Sequence, residues 1–125
     1  MKGIPEEVLS RLAAARHSIR SGDAGHADAE LIRIPTKFLA HPLVLEARFE
    51  YFAHLEQWDL ALDVANILVA ADLDSPKGWL YKAQCLEKME LVVEEYEALL
   101  SAVTLFPANV EIITRLRAAC LRRRK

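Results

Sequence analysis

The sequence predicts an all-helical protein built from consecutive helix pairs, and three observations carry that prediction. Apolar residues recur at helical spacing: between Pro42 and Gln57, Leu45, Phe49, Phe52 and Leu55 fall 4, 3 and 3 residues apart, which is one face of a 3.6-residue turn. Strand signals are nearly absent, with no Asn-Gly or Asp-Gly dipeptide, and the one Gly-Asp, Gly22-Asp23, lies between two segments of helical period. Finally, Pro42 and Pro76 stand 34 residues apart, and 34 residues to either side of them lie Val8 and Val110, each near the start of another expected helix.

The expected helices span roughly 5–21, 24–34, 42–56, 58–71, 76–89, 91–105 and 109–123, with ends placed to within about 2–4 residues. The first is apolar around much of its circumference through Val8, Leu9, Leu12, Ala13, Ala14, Ala15 and Ile19, so it needs a cover. Gly22-Asp23 turns the chain into the second, which ends before Pro35 because proline disfavours helix in its predecessor and cannot donate to the preceding turn. His41-Pro42 starts the third, with His a poorer cap than Ser. In the fourth, Ala61 and Ala65 let a neighbour come close beside Leu62, Leu68 and Val69. Ser75 caps the fifth, with Pro76 at its first position, where a missing N–H costs nothing. Pro107 closes the sixth.

Equivalent positions line up down the 34-residue interval: Leu45 with Trp79 and Ile113, Phe49 with Ala83, Phe52 with Leu86 and Cys120, Trp58 with Val92, and Ala65 with Leu99 and Leu31. A period of this length with two helices per unit resembles the tetratricopeptide repeat. Trp79, Ala83, Leu86, Leu99, Ala102 and Pro107 fall where that family places its Trp, small residue, Tyr-like residue, large apolar residue, Ala and closing Pro. Gly22-Asp23 and Ala27 in the first unit, and Trp58 and Ala61 in the second, match less fully. Departures are Phe49 at a small position, Glu95 at an Ala position, Glu90 at the turn Gly and Arg11 at the first Trp. The resemblance implies one domain over residues 1–125, with repeats at about 8–41, 42–75 and 76–109 and a capping helix at about 110–125. It implies an α-solenoid, a right-handed superhelix of antiparallel helix pairs, about seven helices in all.

Stacked pairs leave a groove lined by the first helix of each, suited to a peptide or helix of another protein. Projecting the family's groove positions gives Arg16 and Arg20, then Glu46, Glu50 and His54, then Lys77, Tyr81, Gln84 and Lys88. Some members clamp a partner's terminal carboxylate with a Lys and an Asn in the first repeat. Here those positions hold Leu12 and Arg16, with Ala47 and Tyr81 at two later ones, and only Lys77 matches, so a chaperone-tail clamp is not expected. Trp58 and Trp79 are expected to fill joints between helices rather than anchor a partner.

At 125 residues the chain is about one domain, and 53% hydrophobic residues supply a core. Net charge of −2 gives no global attraction to nucleic acid or membrane, but its distribution is uneven. Residues 1–45 carry 6 basic and 5 acidic groups, residues 46–97 carry 4 and 12, and residues 98–125 carry 6 and 1, leaving +1, −8 and +5. The basic run Arg122-Arg123-Arg124-Lys125 contains no aromatic to stack a base, so it reads as the complement of a helix dipole rather than a nucleic-acid site. An acidic middle and a basic end also suit self-association as a homo-oligomer, as does a mean hydropathy of +0.10.

No enzyme is expected. His17, His26, His41 and His54 lack zinc-protease spacing, and Gly3, Gly22, Gly25 and Gly78 form no phosphate-cradling loop, so neither metal nor cofactor is expected. Glu94, Glu95 and Glu97 read as a solvated face, and Cys85 and Cys120 as reduced thiols packed in helices. No apolar run approaches the ~20 residues of a membrane span, and Met1-Lys2-Gly3-Ile4-Pro5 runs into Glu6-Glu7 without a signal peptide, so a cytoplasmic address is expected. The expected function is a binding scaffold or adaptor, with a secretion-type chaperone as the alternative, and a regulatory subunit or fragment of a larger enzyme as the alternative of another class.

Overall fold

The computed structural model describes residues 3–124. Among the described residues there are seven α-helices and no strand: α1 (Glu6–Arg20), α2 (Ala24–Ile32), α3 (Pro42–His54), α4 (Trp58–Ala71), α5 (Lys77–Lys88), α6 (Val92–Leu105) and α7 (Val110–Arg123). Consecutive helices pack in pairs, α1 with α2, α3 with α4 and α5 with α6, and α7 closes the row against α6.

The 34-residue interval reappears in the backbone. Gly22, Glu56 and Glu90 all adopt left-handed conformations, with φ of 81°, 57° and 60°. At each turn the next amide reaches back to the same place in the preceding helix: Asp23 N to Ser18 O at 2.8 Å, Gln57 N to Phe52 O at 3.0 Å and Leu91 N to Leu86 O at 2.9 Å. These are the six-to-one bonds that satisfy carbonyls at a helix end. Glycine fits the left-handed site without strain, whereas Glu56 and Glu90 hold it against a Cβ clash of roughly 1–2 kcal/mol each.

Helix starts follow the expected chemistry. His41 Nδ1 accepts from Leu43 N at 3.1 Å, Ser75 Oγ from Lys77 N at 3.2 Å and Asn109 Oδ1 from Ile112 N at 2.9 Å. The fifth helix begins at Lys77 rather than Pro76. The second stops at Ile32 rather than 34, and residues Thr36–Phe38 then form a 3₁₀ turn, an element the sequence reading lacks. That turn lets Ile34 and Phe38 pack with Val8, Leu12 and Val44 under the short α2.

Two further apolar clusters follow down the row. Leu45, Phe49, Ala61, Val64, Leu68 and Cys85 form the second, and Trp58 packs against it. Ala83, Leu99, Ala102, Ile112 and Ala119 form the third, with Trp79 against it. Both tryptophans therefore lie at helix joints, as expected. Between α4 and α5 the backbones approach so closely that a Cβ on Gly78 would lie 2.7 Å from Val69 N and 2.9 Å from Val69 Cα.

One expectation is overturned by burial. Glu95 is not part of a solvated face: it is 2% exposed and accepts from Arg122 through both carboxylate oxygens, Nε–Oε1 at 3.3 Å. It stands where the resemblance implies Ala, and the guanidinium from α7 neutralises the charge that burial makes costly.

Candidate functional site

The first helices of the three pairs, with α7, line one surface, and ion pairs cross it from helix to helix. Arg16 on α1 donates through Nε to Glu50 Oε2 at 2.9 Å and through Nη2 to Glu46 Oε1 at 3.3 Å, both on α3. Lys77 on α5 donates through Nζ to the same Glu46 oxygen at 2.8 Å. Glu46 is only 6% exposed and thus serves as a shared anion for cations on either side. Such charge-assisted bonds are among the stronger ones a surface can offer, and more so where water is partly excluded.

Tyr81 completes this middle section. Its ring stacks on buried Phe49 at a centroid distance of 4.0 Å with planes 5° apart. Burial first, then the Glu46 and Glu50 carboxylates, push its phenol up to about 12, with Arg16 pulling the other way. Phe49 stands where a small residue is usual, and its ring is what gives Tyr81 a flat partner.

Bays open on either side of this paired centre. One of about 320 Å³ is lined by Leu9, Leu12, Ala13, Arg16 and Arg20 of α1 and Leu43 of α3. Leu9 is 39% exposed and Leu43 36%, and among the described residues Arg20 has no ion pair. The other, about 190 Å³, is lined by Lys77, Leu80, Tyr81 and Gln84 of α5 and Glu111 and Arg115 of α7. The first sets Leu9 and Leu43 beside the cations Arg16 and Arg20; the second sets Leu80 and Tyr81 beside charges of both signs, Lys77, Glu111 and Arg115.

Of the residues projected from the sequence, Arg16, Glu46, Glu50, Lys77 and Tyr81 come together in the centre, Arg20 sits in the bay between α1 and α3 and Gln84 in the one between α5 and α7. His54 is exposed on the last turn of α3. Lys88 lies elsewhere, its ammonium 5.8 Å from the Trp58 ring centroid. Leu9, Leu43, Glu111 and Arg115 were not projected. The signal for them was in the same interval, since 9, 43, 77 and 111 are one position in successive units and 81 and 115 are another. Leu12 and Ala47, two of the clamp positions, are buried in the first cluster.

Among the described residues no group of three or more His, Cys, Asp or Glu is placed to hold a metal ion. Cys85 is buried, and burial pushes its thiol up to about 12, away from the thiolate a nucleophile needs. Among the described residues no helix is long and apolar enough to cross a membrane.

No family model matches the chain, and no curated protein matches it. Solved structures do. The first TPR of Spaghetti (RPAP3) bound to the HSP90 peptide SRMEEVD is 16% identical with a TM-score of 0.75, covering 94% of this chain and 96% of that one. The first TPR domain of human RPAP3 is 17% identical with a TM-score of 0.73, covering 91% and 90%. The Yersinia enterocolitica type III secretion chaperone SycD, in complex with a peptide of the translocator YopD, is 16% identical with a TM-score of 0.80, covering 96% and 97%. Near-complete coverage in both directions, together with the recurring turns at 22, 56 and 90, shows that this chain has the tetratricopeptide-repeat fold, an all-α solenoid of helix pairs.

Proposed function

We propose that the chain is a non-enzymatic, cytoplasmic adaptor, one domain of three repeats and a capping helix, whose first-helix surface receives a segment of another protein. The observation that carries this reading is the contrast within that surface. The central charges are already paired with one another, while the bay beside them keeps Leu9 and Leu43 half-exposed next to Arg20. A guest matching that bay presents an apolar side chain with a carboxylate one helical turn or two extended residues away. It is not a terminal-carboxylate clamp, because Leu12 and Ala47 offer no donor and Lys77 is tied to Glu46.

A chaperone of the secretion type is the second reading, supported by the likeness to SycD over nearly the whole of both chains. Self-association belongs to the same proposal, supported by exposed apolar residues away from the groove such as Val110 and Leu121.

Panning a random peptide display library on the protein tests the groove. The enriched peptides should pair large apolar residues with Asp or Glu, and Arg20→Glu should weaken them by about tenfold or more, equivalent to about 1.4 kcal/mol, with an unchanged melting temperature. Peptides that bind Arg20→Glu and Leu43→Ser proteins as well as the parent would place recognition outside this bay. Glu50→Lys is a poorer probe, since it also removes the partner of Arg16.

A further inference from the structure

The fold's own pairings leave charge and apolar surface on two other faces. On α7, Arg115 reaches Glu111 at 3.6 Å and Glu87 at 4.0 Å, Arg122 is held by Glu95 and lies 3.5 Å from Glu87, and the Arg123 guanidinium sits 4.5 Å from the Tyr96 ring centroid. Much of the basic end is therefore neutralised by the acidic middle of the same molecule, and Lys125 lies outside the described residues. Arg117 and Arg124 are left exposed, with no ion pair among the described residues. With Val110, Thr114 and Leu121 they fall at spacings of 4, 3, 4 and 3, one open stripe in which Val110 is 75% and Leu121 62% exposed. At the Arg117 position the two earlier first helices are covered, with Ala83 and Phe49 buried, whereas Arg117 itself is exposed.

The complementary face is a cleft of about 350 Å³ between α4 and α6. Trp79 and Leu86 of α5 and Leu62 of α4 line it together with Glu94 and Glu97 of α6. Lys82 also lines it, its ammonium 5.5 Å from the Trp79 ring centroid, so this indole face already carries a cation. Glu94 and Glu97 are exposed and form no ion pair among the described residues, and neither does exposed Asp63 on α4.

We propose that α7 of one copy docks in the α4–α6 cleft of a second copy, Leu121 against the Trp79 and Leu86 floor and the Arg117 and Arg124 guanidinium groups against the Glu94 and Glu97 rim. The two surfaces are different parts of the chain, so the contact is heterologous and the product is a ring or an open row of molecules. The proposal rests on the self-association part of the proposed function and is independent of groove binding.

Sedimentation velocity over low to high micromolar concentrations tests it, with charge reversal on each side. The parent should associate, and less so as salt is raised from low to physiological strength, because exposed charges are screened beyond about 10 Å at 0.1 M. Arg117→Glu with Arg124→Glu should weaken association at least about tenfold, about 1.4 kcal/mol, and so should Glu94→Arg with Glu97→Arg. Mixing the two reversed proteins should restore it, as should combining all four changes in one chain. Circular dichroism melts confirm that each variant is folded. Association that survives both reversals overturns this surface while leaving self-association standing; a parent that stays monomeric at every concentration overturns both.

Discussion

The joint between the first and second helix pairs and the joint between the second and third occupy the same place in the repeat, yet they are built from different parts. At the second joint, α4 runs the full 14 residues and α5 meets it backbone to backbone, because Gly78 puts no Cβ against Val69. At the first, the residue in the Gly78 position is Val44, buried at 1% exposure, and α2 stops after 9 residues. The missing length is made up by a 3₁₀ turn, and Phe38 from that turn with Ile34 just before it fills the space a longer helix would take. A fixed interval in the chain thus fixes where helices begin and turn, while the residue volumes at the contact decide how neighbours meet.

Substitution at the joints breaks this comparison in graded steps. Ile34→Ala empties the filler of the first joint and should cost about 3 kcal/mol, read as a lowered denaturant midpoint with an unchanged slope. Gly78→Ala drives a methyl into the Val69 backbone and should cost about 2 kcal/mol in the same assay. An unchanged midpoint for Gly78→Ala would mean that the second joint has room to slide and is not the closer of the two.

Smaller effects sharpen the comparison by separating turns from joints. Glu56→Gly and Glu90→Gly should each stabilise by about 0.5–1 kcal/mol, since relief of the left-handed Cβ clash outweighs the added freedom of the unfolded chain. Gly22→Ala should go the other way. Equal gains at the two Glu sites would show that the turns are equivalent even though the joints are not.

The smallest effect at neutral pH belongs to Tyr81→Phe, but it alters the alkaline limb. Tyr81 is pushed from 10.0 up to about 12 and Cys85 from 9.0 up to about 12, so each holds its proton longer folded than unfolded. Over that range the native state binds more protons, and stability falls as pH rises from about 9 towards 12. Tyr81→Phe should flatten the part of that fall above pH 10, and absorbance of the parent near 295 nm should show one phenol titrating near 12 that the variant lacks.

Much of this fold was legible because its punctuation is local. Caps at His41 and Ser75 and the prolines at 42 and 76 act on their own neighbours, and the 34-residue interval needs only one dimension to be seen. The short α2 was not legible, because Leu31 to Ile34 keep an apolar helical pattern and only the space beneath decides that Ile34 packs from a turn. At the candidate site the groove positions implied by the resemblance put Arg16, Glu46, Glu50, Lys77 and Tyr81 on one surface but could not show that the four charges among them neutralise one another, which depends on side chains from three helices meeting. Glu95 was misread for a related reason: its counterion, Arg122, comes from α7, 27 residues away.

Glu46 has one more consequence. A single carboxylate oxygen answers to a cation from the pair before it and a cation from the pair after it, so it works like a rivet through three overlapping plates. An anionic guest that draws Arg16 toward itself loosens the rivet on one side only, and occupancy of the bay between α1 and α3 is then felt first in the angle between the first two plates.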